Sequence, residues 1–377
     1  MTAQSSEVTV SVPARDATST EPVGAPARPA PSTRGRGGGG VVMVDVARAA
    51  GVSQKTVSRV VNGSSQVRPE VTARVQRAID ELGYRRNAAA RALVRGRTHV
   101  VGVVGLRTAL YGVAQHVMSL ERAAKEAGFG VVVVSTETGD PAEVVVAVER
   151  ALELGAEGVV LAEPFFDTRT ALDAFARTPF VTVVRSVHDD GHVPAVDADQ
   201  EAGADLVVDH LVGLGHRRVG YLAGPTAWRS ALVREQATAA ALRRHGLPVL
   251  EPARGDWTAR SGYAAARELL AREDVTAVVA ANDHMAVGAL RALAEAGLSV
   301  PGDVSLVGFD DVPEAEFLPV PLTTVRQTLS HVGELALRTL VELVEDGPGA
   351  HDRVHVVPVT LEVRASTGRA PGGGRGD

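Results

Sequence analysis

The 377-residue chain contains no cysteine. That excludes a disulfide framework and a cysteine nucleophile, and it fits a reducing compartment. No apolar run approaches the roughly 20 residues a membrane-spanning helix needs. Residues 1–40 lack the apolar segment of a secretory signal. They are rich in Ala, Ser, Thr, Pro, Gly and Arg. They read as a tail with too little apolar surface to offset its ordering entropy, and residues 368–377 read alike. A cytoplasmic protein is therefore expected. Lysine is almost absent beside abundant arginine, which points to a GC-rich genome and carries no mechanism. His116, His210, His216 and His284 show no metal-ligand spacing. Gly102-Val103-Val104-Gly105 is not a dinucleotide fingerprint, and there is no phosphate loop. No Ser-His-Asp arrangement can be argued. No metal, cofactor or catalytic group is expected, and the chain does not read as an enzyme.

What is present is an ordinary globular balance, with 45% hydrophobic and 22% charged residues. The length predicts two or three folding units with a large core. Charge is unevenly spread. The formal total is −6, yet residues 41–97 hold eleven basic and four acidic side chains, a local excess of +7 that leaves −13 on the remainder. A small basic module on an acidic body points to a polyanion partner; a solvated basic face is the alternative.

Within that module, Val46, Ala47, Ala49 and Ala50 form a short helical stripe closed by Gly51. Ser53 is placed to cap a second helix, which runs through Val57, Val60 and Val61 to Asn62-Gly63. Two short helices joined by a tight Gly-containing turn make a helix-turn-helix. Its outward side shows Gln54, Lys55, Ser58 and Arg59. Gln suits adenine, and Arg or Lys suits the O6 and N7 of guanine. A third helix starts at Pro69-Glu70 and ends at Gly83.

The stretch Val44-Asp45-Val46-Ala47, then Ala50-Gly51-Val52-Ser53, then Thr56-Val57-Ser58-Arg59-Val60-Val61-Asn62 resembles the head of the lac repressor family. Leu82-Gly83-Tyr84 and Asn87-Ala88-Ala89-Ala90-Arg91-Ala92-Leu93 continue the match. The resemblance implies a DNA-binding set of Ser53, Gln54, Lys55, Thr56, Ser58, Arg59, Asn62, Tyr84, Asn87, Ala90 and Leu93. It makes residues 87–94 a hinge that becomes helical on operator DNA. Leu93 would be a wedge that unstacks a minor-groove step in return for a bent, better-contacted duplex. By itself Leu93 reads as core of a short connecting helix. Arg86 departs from the proline usual before the hinge asparagine. Val42 and Arg68 lack the capping side chains often found before the first and third helices.

From residue 98, apolar runs at 100–104, 131–134, 158–161, 181–184, 219–222, 277–280 and 305–309 alternate with amphipathic stretches at 118–127, 142–154, 202–214 and 285–296. Val-rich runs fit strands buried on both faces, and the alternation implies parallel sheets covered by helices. The resemblance extends over this region and implies a body like the periplasmic sugar-binding proteins. Its two lobes would exchange strands at three crossovers, the first from about residue 98 to 197 and the second from about 198 to 325, each with a later return. The expected fold is an N-terminal helix-turn-helix head plus two doubly wound α/β lobes. The expected organisation is a tail over 1–40, a head over 41–86, a hinge and linker over 87–97, a two-lobed effector-binding and dimerisation body over 98–367, and a tail over 368–377.

Ligands in such folds bind in the crevice at the carboxyl ends of strands. Asn282 and Asp310 stand there, Arg234 on the helix beyond one strand, and Trp257 in a Gly-Asp-Trp-Thr loop. The resemblance places each at an effector pocket, with Arg107, Gln115 and Arg185 completing the cleft from the first lobe. Carboxylate, guanidinium, amide and an aromatic face suit a polyol. Alone, Trp257 reads as core, and Asp310 or Arg234 as a surface ion or cap. The chain thus reads as a DNA-binding regulator, a homodimer on a pseudo-palindromic operator, switched by a small effector of sugar type. An exported sugar receptor or an α/β enzyme are the competing classes.

Overall fold

A computed structural model describes residues 41–85, 92, 96–108, 110–162, 169–184, 193–347 and 354–371. The chain divides after residue 87 into two units.

Among its described residues the first unit holds three helices, α1 (Met43–Ala50), α2 (Gln54–Val61) and α3 (Pro69–Leu82). Gly51 ends α1 at φ 62°, a left-handed conformation open to a residue without Cβ, and the chain turns there into α2. The Ser53 hydroxyl accepts the Thr56 N–H at 3.1 Å and caps α2. Val42 and Arg68 provide no side-chain cap. The Val42 N–H instead donates to the Asp45 carboxylate at 3.1 Å, half of a capping box. Val46, Val57, Val61, Val75 and Ala78 form the small core, with Tyr84 packed against it.

The second unit contains two six-stranded sheets. The first-lobe strands are β1 (Val100–Leu106), β2 (Gly130–Thr136), β3 (Val159–Ala162), β4 (Phe180–Val183) and β5 (Ala195–Ala198). The helices α4 (Tyr111–Glu126), α5 (Pro141–Glu153) and α6 (Arg169–Ala174) connect them. The chain then crosses to the second lobe. There α7 (Gln200–Gly213), β6 (Val219–Ala223), α8 (Arg229–Arg244), β7 (Ala253–Arg254) and α9 (Ala259–Arg272) follow. Next come β8 (Ala277–Ala280), α10 (Asp283–Glu295), β9 (Ser305–Asp310) and β10 (Thr323–Gln327). The helix α11 (Leu329–Asp346) returns to cover the first sheet, β11 (Val354–Val357) joins that sheet, and β12 (Val359–Glu362) ends in the second.

The sheet orders are β11-β5-β4-β3-β1-β2 and β12-β10-β9-β8-β6-β7. Every pairing is parallel except β10 with β12. The lobes are therefore joined at residues 198–200, 327–329 and 357–359, the three crossovers expected. The Asp199 N–H donates to the Val357 carbonyl at 2.9 Å and ties the first crossover to the third. Val-rich strands meet helix faces on both sides of each sheet, as parallel sheets require. Among the described residues no helix is long and apolar enough to cross a membrane.

All seven sequence-predicted strands appear, each within about two residues of the observed ends. The expected tail beginning at residue 368 does not. Residues 368–371 are described, and the Gly368 N–H donates to the Ser305 hydroxyl at 3.0 Å while the Ala370 N–H donates to the Leu214 carbonyl at 3.0 Å. Backbone hydrogen-bonding groups, invisible to composition, hold this segment to the second lobe.

His216 anchors it. The ring is fully buried. With the Gly368 carbonyl 3.0 Å from Nε2, that nitrogen carries the proton, which leaves Nδ1 to accept from the Thr276 hydroxyl at 2.9 Å. Burial pushes the His216 imidazole below its ordinary value. The fold holds it neutral, while the unfolded chain gains a proton as pH falls through about 6.5. This stabilisation is complete above that pH and is lost below it. Melting temperatures at about pH 7.5 and about pH 5.5 should therefore fall more steeply for the unmodified protein than for His216→Gln. Equal acid sensitivity in the two proteins would contradict the assignment.

The contact between α9 and α10 is the closest between helices of the second lobe. A Cβ on Gly288 would lie 1.9 Å from the Ala259 carbonyl oxygen, and one on Gly262 would lie 2.2 Å from that of Met285. Both obstacles are backbone, so no side chain can swing aside. Gly288→Ala should cost about 1–3 kcal/mol by overpacking, read as a lower denaturant midpoint at constant slope; an unchanged midpoint would show that the helices can separate freely.

Candidate functional site

The carboxyl ends of both sheets face a cleft that is open to solvent. The second lobe provides Trp228, Ser230, Arg234, Trp257, Asn282 and Asp310. The crossovers provide Asp197, Gln200, Gln327 and Leu329. The described wall of the first lobe is mostly apolar, with Leu110, Val113, Val183 and Val184, joined by Tyr111 and His116.

Arg234 is central. It lies on α8 at 6% exposure, so its charge needs nearby partners. Nε donates to Gln200 Oε1 at 2.7 Å, and a terminal nitrogen donates to the Ala281 carbonyl at 2.6 Å. The guanidinium stands 3.7 Å from the Asp310 carboxylate and 3.9 Å above the Phe309 ring. Gln327 donates to the same carboxylate at 2.7 Å. Gln200 closes the circuit by donating to Gln327 at 3.0 Å and to Asp197 at 3.3 Å. The circuit joins α7, α8, β9 and β10, and two of its members sit at crossovers.

Asn282 caps α10 by accepting the Met285 N–H at 2.9 Å and donates to the Trp257 carbonyl at 3.1 Å. It fixes the backbone that presents Trp257. A Cβ on Gly224 would come within 2.6 Å of the Trp257 ring, so that glycine makes room for it. Trp228 meets Trp257 edge to face, with centroids 5.9 Å apart and planes at 78°. Both tryptophans of the chain thus line the cleft. Five non-glycine residues among those described have positive φ, and Val184, Trp257 and Asp310 are cleft-lining members of that set. Each such conformation costs on the order of 1–3 kcal/mol, which is how backbone strain marks functional sites.

Burial, and then the carboxylates of Asp310, Asp311 and Asp283, push the Tyr111 phenol up, so it remains a neutral hydroxyl. Behind the site, burial raises Asp283 to about 6. Its carboxylate accepts from the Thr324 hydroxyl at 2.5 Å and from the Val312 N–H at 2.9 Å, bracing the turn after β9.

Of the residues expected here, Arg234, Trp257, Asn282 and Asp310 come together. Arg107 does not enter the cleft, because it is exposed and turned onto Glu137 at 2.7 Å beside the neighbouring strand end. Gln115 is half-buried on α4 but does not line the cleft. Arg185 lies outside the described residues. Sequence reasoning missed Tyr111, His116, Asp197, Gln200, Trp228 and Gln327. A Gln or Asp beside a strand end was the available signal, although only the crossovers turn those ends toward one another.

In the head, α2 buries Val57 and Val61 and exposes Gln54, Lys55 and Arg59, while Thr56 and Ser58 are half-buried. Asn62 is exposed and reaches the Ser58 hydroxyl at 3.4 Å. Ser53 is exposed but uses its hydroxyl as the cap, and Tyr84 packs on the core. Asn87, Ala90 and Leu93 lie outside the described residues.

The family model for bacterial regulatory proteins of the lacI family matches residues 42–87, and that for a periplasmic binding protein-like domain matches residues 208–367. The lactose operon repressor of Escherichia coli is 33% identical over 87% of this chain and 91% of its own. This chain belongs to the lacI family of bacterial regulatory proteins. It is a transcriptional regulator with a DNA-binding head and a periplasmic-binding-protein-like body. The HTH-type transcriptional regulator CelR of Thermobifida fusca is 37% identical over 79% of this regulator and 90% of its own length. Among solved structures, the lac repressor dimer bound to operator and the anti-inducer ONPF superposes with a TM-score of 0.80 at 32% identity, over 88% of this chain and all of that one. A CelR–cellobiose complex gives 0.65 at 34% identity, over 86% of this chain and 99% of that one.

The regulator's buried circuit predicts its own fragility. Arg234→Met removes the cation beside Asp310 and the donor to Gln200. The loss should be about 3–5 kcal/mol in denaturant unfolding, typical of breaking a buried pair from one side. A loss below about 1 kcal/mol would mean the pair is screened by solvent.

Proposed function

We propose that the regulator is a cytoplasmic repressor that binds a pseudo-palindromic operator as a homodimer and is released by a neutral sugar. The carrying observation is the cleft, where hydrogen-bonding groups built around Arg234 and Asp310, with two indole rings beside them, face an apolar wall. A polyol has both characters, hydroxyls to donate and accept and C–H faces to stack. One buried guanidinium stands against two buried carboxylates, Asp197 and Asp310. That balance disfavours an anionic ligand such as a sugar phosphate.

For DNA, the support is the exposed face of α2. Gln54, Lys55 and Arg59 would meet base edges in the major groove, with Ser53, Thr56, Ser58, Asn62 and Tyr84 around them. Asn87, Ala90 and Leu93 would form the hinge at the centre of the site. A symmetric operator requires a symmetric protein. The relative crystallised on operator is a dimer, and we assign the same state here. The protein works by binding rather than turnover, with the charged groups of its cleft held by protein partners.

Arg59→Ala should weaken operator binding by about 1–3 kcal/mol and relax preference at one position. Asp310→Ala should bind operator like the unmodified protein and ignore the inducer. Fluorescence anisotropy with palindromic and scrambled DNA, with and without sugar, reads both. Equal affinity for the two DNAs at physiological salt would remove the operator reading, and a normal inducer response in Asp310→Ala would remove the pocket assignment.

A further inference from the structure

We infer that the effector is a disaccharide or other two-ring glycoside, whose second ring is held by Trp228. This rests on the reading of the cleft as a sugar site and extends it to substrate class.

The hydrogen-bonded core of the cleft is the circuit around Arg234. Arg234, Asp310, Asn282 and Trp257 are all buried and are fixed by the hydrogen bonds and packing described above. They make a subsite for one ring, with hydroxyl partners on one side and an indole beside them. Trp228 stands apart from that circuit. It is only half-buried, it precedes α8 at the end of the loop from β6, and its backbone N–H donates to the Pro225 carbonyl at 3.1 Å. No hydrogen bond of the circuit depends on it. Yet it is packed against Trp257 and lines the same cleft.

A pyranose is roughly flat and lays one C–H face on one aromatic face. Two indole planes at 78° cannot both be covered by one such ring. Two rings joined through a glycosidic oxygen are twisted relative to each other, and each can take its own platform. The Arg234–Asp310 circuit has the donors and acceptors that read hydroxyl stereochemistry, while Trp228 offers an indole. A sugar with a second ring gains contact there, and a monosaccharide leaves Trp228 wet.

The test uses the full-length protein and its intrinsic fluorescence, which comes chiefly from the two cleft tryptophans. The probes are glucose, galactose and ribose, then cellobiose, lactose, maltose, trehalose and sucrose, titrated with melting temperature as a second readout. At least one disaccharide should bind about tenfold or more tighter than either of its component monosaccharides. Trp228→Ala should erase that margin by weakening disaccharide binding more than monosaccharide binding, with operator binding unchanged, while Trp228→Phe, which keeps an aromatic face and guards against a folding defect, should retain most of it. If a monosaccharide binds as tightly as every disaccharide, or if Trp228→Ala leaves the margin intact, the two-ring proposal is overturned and the sugar reading survives. If no sugar changes either readout, both fall.

Discussion

The buried guanidinium of Arg234 is the interaction on which the body depends. A cation at 6% exposure is tolerable only where every nearby acceptor is placed for it. Here those acceptors come from α7, β9 and the end of β8, and they reach Asp197 and Gln327 through Gln200. Two of the three crossovers between lobes therefore end in the circuit that forms the floor of the cleft. The third is fastened to the first by the backbone bond from Asp199 to Val357. Residues that line the cleft are thus also residues that join the crossovers.

This arrangement explains why strain collects where it does. Trp257 and Asp310 adopt positive φ without being glycine, and both are held there by side chains of the circuit or its supports. Asp283, buried and protonated more readily than an ordinary carboxylate, braces the turn behind Asp310. Distortion is offset by many small fixed contacts, as expected of a preorganised site. A ligand that bridges the apolar first-lobe wall and the polar floor would favour one separation of the lobes over another. It shifts the regulator only as far as it prefers that state.

Much of this was legible from the sequence, for identifiable reasons. Val-rich strands such as β1, β8 and β9 announce themselves because burial on both faces leaves no polar alternation. The head was legible residue by residue, since a three-helix unit this small needs particular caps and a particular apolar triad. Asn282 and Asp310, singled out because strand ends are where α/β folds bind ligands, line the cleft. What escaped was non-local. The strand β10 is Thr-Thr-Val-Arg-Gln, too polar to read as buried, and β7 has two residues. Gln200 and Gln327 are 127 residues apart and meet only because the crossovers return the chain. Arg107 was misplaced because a carboxylate on the next strand end, Glu137, competes for it. Trp228 sits in a loop whose direction no periodicity reveals.

Release of the operator by a sugar requires one equilibrium to link cleft and head. Such linkage is reciprocal, because the factor by which sugar weakens DNA binding must equal the factor by which DNA weakens sugar binding. The direct measurement is sugar affinity by calorimetry for the free protein and for the protein saturated with operator, set beside operator affinity with and without saturating sugar. The account predicts a weaker sugar affinity on DNA by the same factor in both directions, about 5–150-fold. Identical sugar affinity on and off the operator would contradict it.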